Sequence, residues 1–177
     1  GFVTGATTLI ISVANVSTYD NQDRLIDGPT AIVTNAIVPP PLVGAPEFSP
    51  VQASPGVVGH VTVSFSAVGA IDIGGSISIL LPANGWEMQL RPRVSFLQPS
   101  ANVVGGAFWD QTMRQLSISI HKTAIREQAQ VVFQLFNVYT PPSERSASIG
   151  YIQALDAHGQ NVTAPTAISI DPIVPVS

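Results

Sequence analysis

The chain has 177 residues, of which 45% are apolar and only 10% are charged, against about 25% charged residues in an average soluble protein. The absence of cysteine excludes disulfides and thiolate metal sites, and a net charge of −4 leaves no basic patch for nucleic acid. No apolar run reaches the roughly 18 to 20 residues of a transmembrane helix, so membrane insertion is not expected. Uncharged polar side chains must cover the surface, which suits packing against other subunits or a coat of sugar.

Alternation of apolar and hydroxylic residues predicts an all-β fold, an Ig-like antiparallel β-sandwich. The pattern is clearest in HVTVSFSAV from His60, in SISILL from Ser76 and in QLSISIH from Gln115. Further strands are predicted over residues 6–18, 30–38, 86–96, 103–109, 130–139, 147–155 and 166–171. Only TAIREQAQ, residues 123–130, has helical character, and one turn is expected there.

A segment near the start of the chain is repeated at its end. Residues 28–39 read GPTAIVTNAIVP and residues 164–175 read APTAISIDPIVP, with seven of twelve positions identical. At the same offset of 136 residues Asp20 falls on Asp156, and Val16 falls on Ile152. Because that period is a domain length, residues 1–38 are predicted to be a half-repeat, the closing hairpin of a preceding domain whose other strands are absent.

A proline-rich stretch separates this N-terminal arm from the rest of the chain. Residues 38–56 contain six prolines, and proline cannot donate to a sheet ladder. The sequence therefore predicts an arm over residues 1–38, a linker over 39–56 and a sandwich over 57–177.

The arm carries apolar residues on both faces of its first strand. Leu9, Ile11 and Val13 share one face, while Ile10 and Val16 lie on the other with Ala14. A long apolar strand left free is an aggregation hazard, so a protein that keeps one usually gives it a partner. These five residues are the predicted assembly site, inserting as a donor strand into the sheet of another subunit. Pairing of the arm within its own chain is the alternative.

No catalytic or cofactor motif is present. His60, His121 and His158 lack the spacing of a metal site, and neither a nucleophile elbow nor a phosphate loop occurs. The sequence therefore predicts no enzyme, no cofactor and no metal. The one acidic run, from Asp20 to Asp27, is interpreted as a polar hairpin tip, with a calcium loop as the alternative.

Two kinds of sugar contact are considered. Trp86 and Trp109 are possible platforms for a bound sugar, although large aromatics belong more often to a core. Asn15 and Asn161 begin N-glycosylation sequons, and Asn161 is expected to be more accessible because it lies in a turn-rich segment. If Leu9, Ile11 and Val13 face a core, strand parity turns Asn15 the same way, and a glycan there then requires the strand to end or bulge first.

The span from Gly74 to Asp171 resembles the Ig-like repeat domains of large secreted surface proteins of microalgae and other protists. The resemblance is carried by GGSISILLPANGW, QLSISIH, VVFQLFNVYTPPS and IGYIQALDAHGQ. With the N-terminal half-repeat, the chain looks like a protomer of an environmental extracellular glycofibril. The resemblance implies a structural role with no catalytic residues. The absence of a glycine-rich linker and the presence of only two sequons depart from it.

Three function classes remain open at this point. The first is a secreted, extracellular filament subunit that binds copies of itself by donor-strand complementation and carries covalent glycans. The second is a monomeric carbohydrate-binding or adhesin module. The third is a viral or cell-wall shell protein with a similar sandwich.

Overall fold

The computed structural model describes residues 13–33, 38–100, 102–103 and 105–175, and the fold in these ranges is all-β, without a helix. The first six strands are β1 Val13–Tyr19, β2 Leu25–Val33, β3 Val43–Pro50, β4 Val58–Ser66, β5 Ser76–Leu80 and β6 Glu87–Met88. The others are β7 Val94–Gln98, β8 Gly105–Asp110, β9 Gln115–Ile120, β10 Gln130–Tyr139, β11 Ser148–Leu155 and β12 Thr166–Ile170.

Strands β3 to β12 form a sandwich of two layers. In one layer β10 pairs with β4 on one side and with β6 and β7 on the other, and β3 continues the layer beside β4. The other layer runs β12, β11, β5, β9, β8, all antiparallel. A short parallel ladder between β12 and β3 joins the two layers. The prediction of an Ig-like antiparallel β-sandwich is confirmed.

Inward-facing residues of both layers form one apolar core. Val61, Val63 and Phe65 of β4 are buried, while the serines and threonine between them are partly exposed, so the predicted alternation is confirmed. The strand predicted over 86–96 is divided, because the segment between β6 and β7 contains Pro92, which has no N–H for a ladder. The helical turn predicted over 123–130 is wrong: Ile125 is fully buried there and bridges to Ile71.

The predicted linker over 39–56 is wrong for its central residues, which form β3. Phe48 is fully buried, and Leu42 is 6% exposed. Pro46 falls where the ladder to β4 is interrupted between Val43 and Glu47, so its missing N–H breaks no β4 pair. The stretch is therefore part of the sandwich, and the alternation of Pro46, Phe48 and Pro50 with Glu47 and Ser49 was its signal.

Strands β1 and β2 form a separate antiparallel hairpin. Among the described strands, each pairs only with the other, and nearly all of their residues are exposed. The predicted arm residues Leu9, Ile10 and Ile11 lie outside the described residues, as does the side chain of Val13. Val16 is described, and it is 46% exposed.

Candidate functional site

The N-terminal hairpin has the same strand register as the hairpin of β11 and β12. Its directly opposed pairs are Val13 with Val33, Ala14 with Ile32, Asn15 with Ala31 and Val16 with Thr30. At an offset of 136 residues these become Ile149 with Ser169, Gly150 with Ile168, Tyr151 with Ala167 and Ile152 with Thr166, all of which are paired. The pair of Tyr19 with Leu25 likewise corresponds to the bridge between Leu155 and Asn161. The duplication read from the sequence therefore extends to the backbone pairing.

The two hairpins also turn in the same way. In each, an aspartate Oδ1 accepts the N–H groups of the residues two and four positions on, at 2.8 and 2.9 Å for Asp20 and at 2.8 Å twice for Asp156. The third residue after the aspartate has a positive φ, 57° at Asp23 and 76° at Gly159. Short polar side chains bond their own backbone in turns of this kind, so an aspartate at this position fixes the turn in both copies.

The acidic tip is a hydrogen-bonded turn. The Arg24 Nε donates to Asp20 Oδ2 at 2.7 Å, in addition to the two main-chain bonds that Oδ1 accepts. The main-chain N–H of Arg24, its guanidinium and the N–H of Gln22 hold the pKa of Asp20 below its ordinary value of 3.8. Both carboxylate oxygens of Asp20 are thus bonded within the turn. In the described ranges, no group of three acidic, histidine or cysteine side chains is placed to hold a metal ion.

The hairpins differ in what covers their apolar residues. Ile152 and Ile168, on the inner face of β11 and β12, have no exposed surface. Val16 and Ile32 stand at the equivalent positions of β1 and β2 and are 46% and 45% exposed. The exposure differs because β11 and β12 lie between β5 and β3, whereas β1 and β2 have no further strand beside them in the described ranges.

The equivalence indicates which face of the arm is of the core type. Asn15 corresponds to Tyr151, an outward-facing residue that is 52% exposed, so Asn15 lies on the side that faces solvent in β11. Asn15 is itself exposed. The core-type face of β1 is the one that carries Ala14 and Val16.

The second sequon is less accessible than expected. Asn161 is only partly exposed and bridges to Leu155. Thr163 is 1% exposed, and its Oγ1 accepts the N–H of Ala154 at 2.8 Å. The expected order of accessibility is therefore reversed, while glycosylation at Asn15 and Asn161 stays a prediction.

Both tryptophans belong to the core. Trp86 is 3% exposed and meets Phe48 edge to face, with ring centroids 5.2 Å apart. Trp109 is 2% exposed, and its Nε1 donates to Gln111 Oε1 at 2.6 Å. Neither indole offers a face on which a sugar ring stacks, so the more frequent role of large aromatics is confirmed and Trp86 and Trp109 are not sugar platforms.

An uncharged patch on the outer side of β11, β5 and β9 was missed by the sequence reasoning. Tyr151, Leu80 and Met113 are 52%, 40% and 60% exposed there and line a groove of about 440 Å³, beside Gln115 and Gln153. The signal was present, since Leu80 and Tyr151 stand at outward positions that other strands fill with serine. The three histidines are all exposed. In the described part of the chain, no helix of membrane-spanning length and hydropathy occurs.

No protein-family model matches the chain. No curated protein matches it either. Among solved structures it is similar to a non-cellulosomal cohesin from the archaeon Archaeoglobus fulgidus, with 16% identity over 72% of this chain and 91% of that chain and a TM-score of 0.39.

Two further structures are similar at the same level. One is a type I cohesin–dockerin complex from Clostridium thermocellum, with 12% identity, 78% of this chain and 98% of that chain covered and a TM-score of 0.39. The other is the C-terminal domain of the antigen I/II-family protein AspA of Streptococcus pyogenes, with 11% identity, 83% and 52% covered and a TM-score of 0.38. Values this low assign neither a family nor a partner to this chain.

Proposed function

We propose that this chain is a structural subunit of an extracellular filament, in which successive copies of the sandwich are joined head to tail through the hairpin of β1 and β2. The proposal rests on one observation. The chain contains a second copy of a core hairpin, and the face of this copy that corresponds to the buried face of β11 and β12 is exposed. Val16 and Ile32 are about half exposed at positions where Ile152 and Ile168 are fully buried. An exposed apolar ribbon of this kind is stable in a secreted protein when a partner covers it.

The hairpin offers two sources of affinity. Covering the exposed parts of Val16 and Ile32 contributes on the order of 1 kcal/mol for each side chain, at about 25 cal/mol per Å² of apolar surface. The outer edges of β1 and β2, which bond no further strand in the described ranges, supply ladder hydrogen bonds to the sheet that receives them. Because the donor and its receiving surface differ, the contact need not close on itself and can repeat along an axis.

The surface composition supports a secreted, glycosylated location. Only 10% of residues are charged, so charge repulsion contributes little to keeping separate filaments apart. Glycans on the sequon asparagines would supply a hydrated layer instead. Asn15 lies on the face of the hairpin opposite Val16, so a glycan there leaves the core-type face free.

Removal of residues 1–33 tests the proposal. The intact chain is expected to form filaments in negative-stain microscopy and to sediment as a distribution of large species. The shortened chain is expected to sediment as a monomer with the melting temperature of the sandwich unchanged within a few degrees. If the shortened chain still formed filaments, the hairpin would not be the element that joins the subunits.

The competing function, a monomeric carbohydrate-binding or adhesin module, gives a different result in the same measurements. The intact chain would remain monomeric at all concentrations and would bind a panel of glycans saturably. Its contact residues then have to be sought among exposed aromatic side chains such as Tyr151.

A further inference from the structure

We infer that the groove on the outer side of β11, β5 and β9 holds the innermost sugars of an N-linked glycan on Asn161 of the same chain. The inference rests on the glycosylation that the proposed function includes, and it is independent of the filament. It names what the glycan contacts, which is the exposed apolar surface of Leu80, Met113 and Tyr151. The glycan is then a fixed cover over an apolar patch of the sandwich.

Asn161 lies on the same face of the sheet as the groove. It forms an antiparallel bridge with Leu155, the last residue of β11. Side chains of directly opposed residues lie on the same face, and Leu155 has the strand parity of the outward-facing Gln153 and Tyr151. The next residue, Val162, packs against the core on the other side. The side chain of Asn161 is therefore directed to the outer face.

The groove begins one row of side chains away from Asn161, which shares the row of Leu155. The next outward row contains Gln153, and the row after it contains Tyr151. A strand rises about 3.4 Å per residue, so these two rows lie about 7 and 14 Å from the row of Asn161. A glycan that runs from Asn161 along β11 covers both rows with its first sugars.

The lining of the groove has the chemistry of a contact with a neutral sugar. None of its eight residues is charged. Its exposed tyrosine, leucine and methionine side chains offer apolar surface, on which the apolar face of a pyranose ring packs. Gln115 Nε2 donates to Ser78 Oγ at 2.7 Å, which holds this amide in place and leaves its oxygen and a second N–H for a ligand. The hydroxyl and N-acetyl groups of an N-linked glycan match such donors and acceptors.

A tethered occupant suits this groove better than a free one. Three exposed apolar side chains supply far less than the roughly 800 Å² per partner of a stable protein–protein interface, which argues against a second copy of the chain. A free sugar has few groups to contact in an open groove of about 440 Å³. A glycan on Asn161 is held beside the groove at an effective concentration in the millimolar range, so weak contacts suffice.

Asn15 provides an internal reference, because it is a second sequon without a groove. It corresponds to Tyr151, but among the described strands only β2 lies beside β1, and nothing stands in the place of β5 and β9. A glycan on Asn15 therefore has no equivalent surface to occupy. The two glycans of one chain can be compared in one sample.

The rate at which peptide-N-glycosidase releases each glycan from the native chain tests the inference. The full chain is secreted from a eukaryotic host, because Thr163 of the sequon is buried in the folded protein and the sugar has to be attached before folding. Release is followed by peptide mass spectrometry. We expect release at Asn161 to be roughly tenfold slower than at Asn15, since the enzyme has to wait for the sugars to leave the groove.

Groove variants separate the effect of the groove from the partial burial of Asn161 itself. Leu80→Ser with Tyr151→Ser removes apolar surface without changing the sequon, and it should speed release at Asn161 severalfold. Ile149→Ser is the matched control, because Ile149 is 62% exposed on the same face of β11 and does not line the groove, and it should leave the rate unchanged. An Asn161 without a glycan, equal rates at the two sequons, or a slow release that the double variant does not change overturns the inference.

Thermal melting gives a second readout that does not depend on access of an enzyme. Asn161→Gln removes the glycan and keeps Thr163, whose Oγ1 accepts the N–H of Ala154. We expect it to lower the melting temperature of the parent chain by roughly 2–4 °C. In the chain with Leu80→Ser and Tyr151→Ser the shift should be much smaller, because the glycan has lost the surface that it covers. Equal shifts in the two chains overturn the inference.

Other occupants of the groove give different results with the glycosylated chain. Saturable binding of added N,N′-diacetylchitobiose that Leu80→Ser with Tyr151→Ser abolishes would show an open groove that takes a free sugar. Self-association that the same double variant abolishes would make a second copy the occupant. Either result overturns the inference, which expects neither.

Failure of the inference and failure of the proposed function are distinguishable. Filaments whose Asn161 glycan is released as fast as the glycan on Asn15 leave the filament and remove the contact with the groove. A protected glycan on Asn161 of a chain that never forms filaments leaves the contact and removes the filament.

Discussion

Substitution of Phe48 by alanine tests whether β3 packs in the core. Its proline-rich sequence predicts a linker instead. Phe48 is fully buried and packs edge to face on Trp86, with ring centroids 5.2 Å apart. A Phe→Ala change at a buried site costs about 3–5 kcal/mol through lost transfer energy and the cavity that remains. The aromatic pair accounts for roughly 0.5–1.5 kcal/mol of that. We expect a loss of about 4 kcal/mol, a large part of the 5–15 kcal/mol that stabilises a typical domain.

Urea unfolding followed by tryptophan fluorescence is the assay, since Trp86 and Trp109 are both buried and change environment on unfolding. Val51→Ala is the control, because Val51 lies in the same stretch but is 62% exposed, and its substitution should change stability by no more than about 0.5 kcal/mol. A loss below about 1 kcal/mol for Phe48→Ala would refute the placement of β3 in the core. The segment would then be the linker that its proline content predicts.

Four further predictions concern the hairpin and its surroundings. Asp20→Ala should speed amide exchange at Arg24 in hydrogen-exchange measurements, because the turn loses an acceptor of two main-chain N–H groups. The pKa of Asp20 is lowered in the folded turn, so its contribution is present above pH 3.8 and is lost as the pH falls through the lower folded-state value. Nuclear magnetic resonance of the turn amides should therefore give a titration midpoint below pH 3.8, and a midpoint at or above 3.8 would contradict the reasoning. Peptide mass spectrometry of native eukaryotic material should find Asn15 occupied at least as fully as Asn161, and an unmodified Asn15 beside a modified Asn161 would contradict the exposure argument. EDTA should leave the melting temperature unchanged, since both oxygens of Asp20 are bonded within the turn, and a drop of several degrees would restore the calcium interpretation.

The sequence by itself determined the strands and the duplication. Serine and threonine alternate with valine and isoleucine in β4, β5 and β9, and such a period admits only a pleated strand with one face buried. The repeat at 136 residues predicted a second closing hairpin, and the paired register of Val16 with Thr30 and of Ile152 with Thr166 agrees with it. These features are local, since they depend on the order of residues within one or two strands.

The tertiary structure alone decided which of these elements are covered. Val16 and Ile152 stand in equivalent positions of equivalent hairpins, yet one is 46% exposed and the other has no exposed surface, because only the second lies between neighbouring strands. Phe48 entered the core despite the prolines around it, since β12, from the far end of the chain, pairs with β3 on the side opposite β4. Burial is a property of the neighbours that a residue meets after folding, and some of those neighbours are fixed by pairings between distant strands, such as β12 with β3, which no local pattern contains.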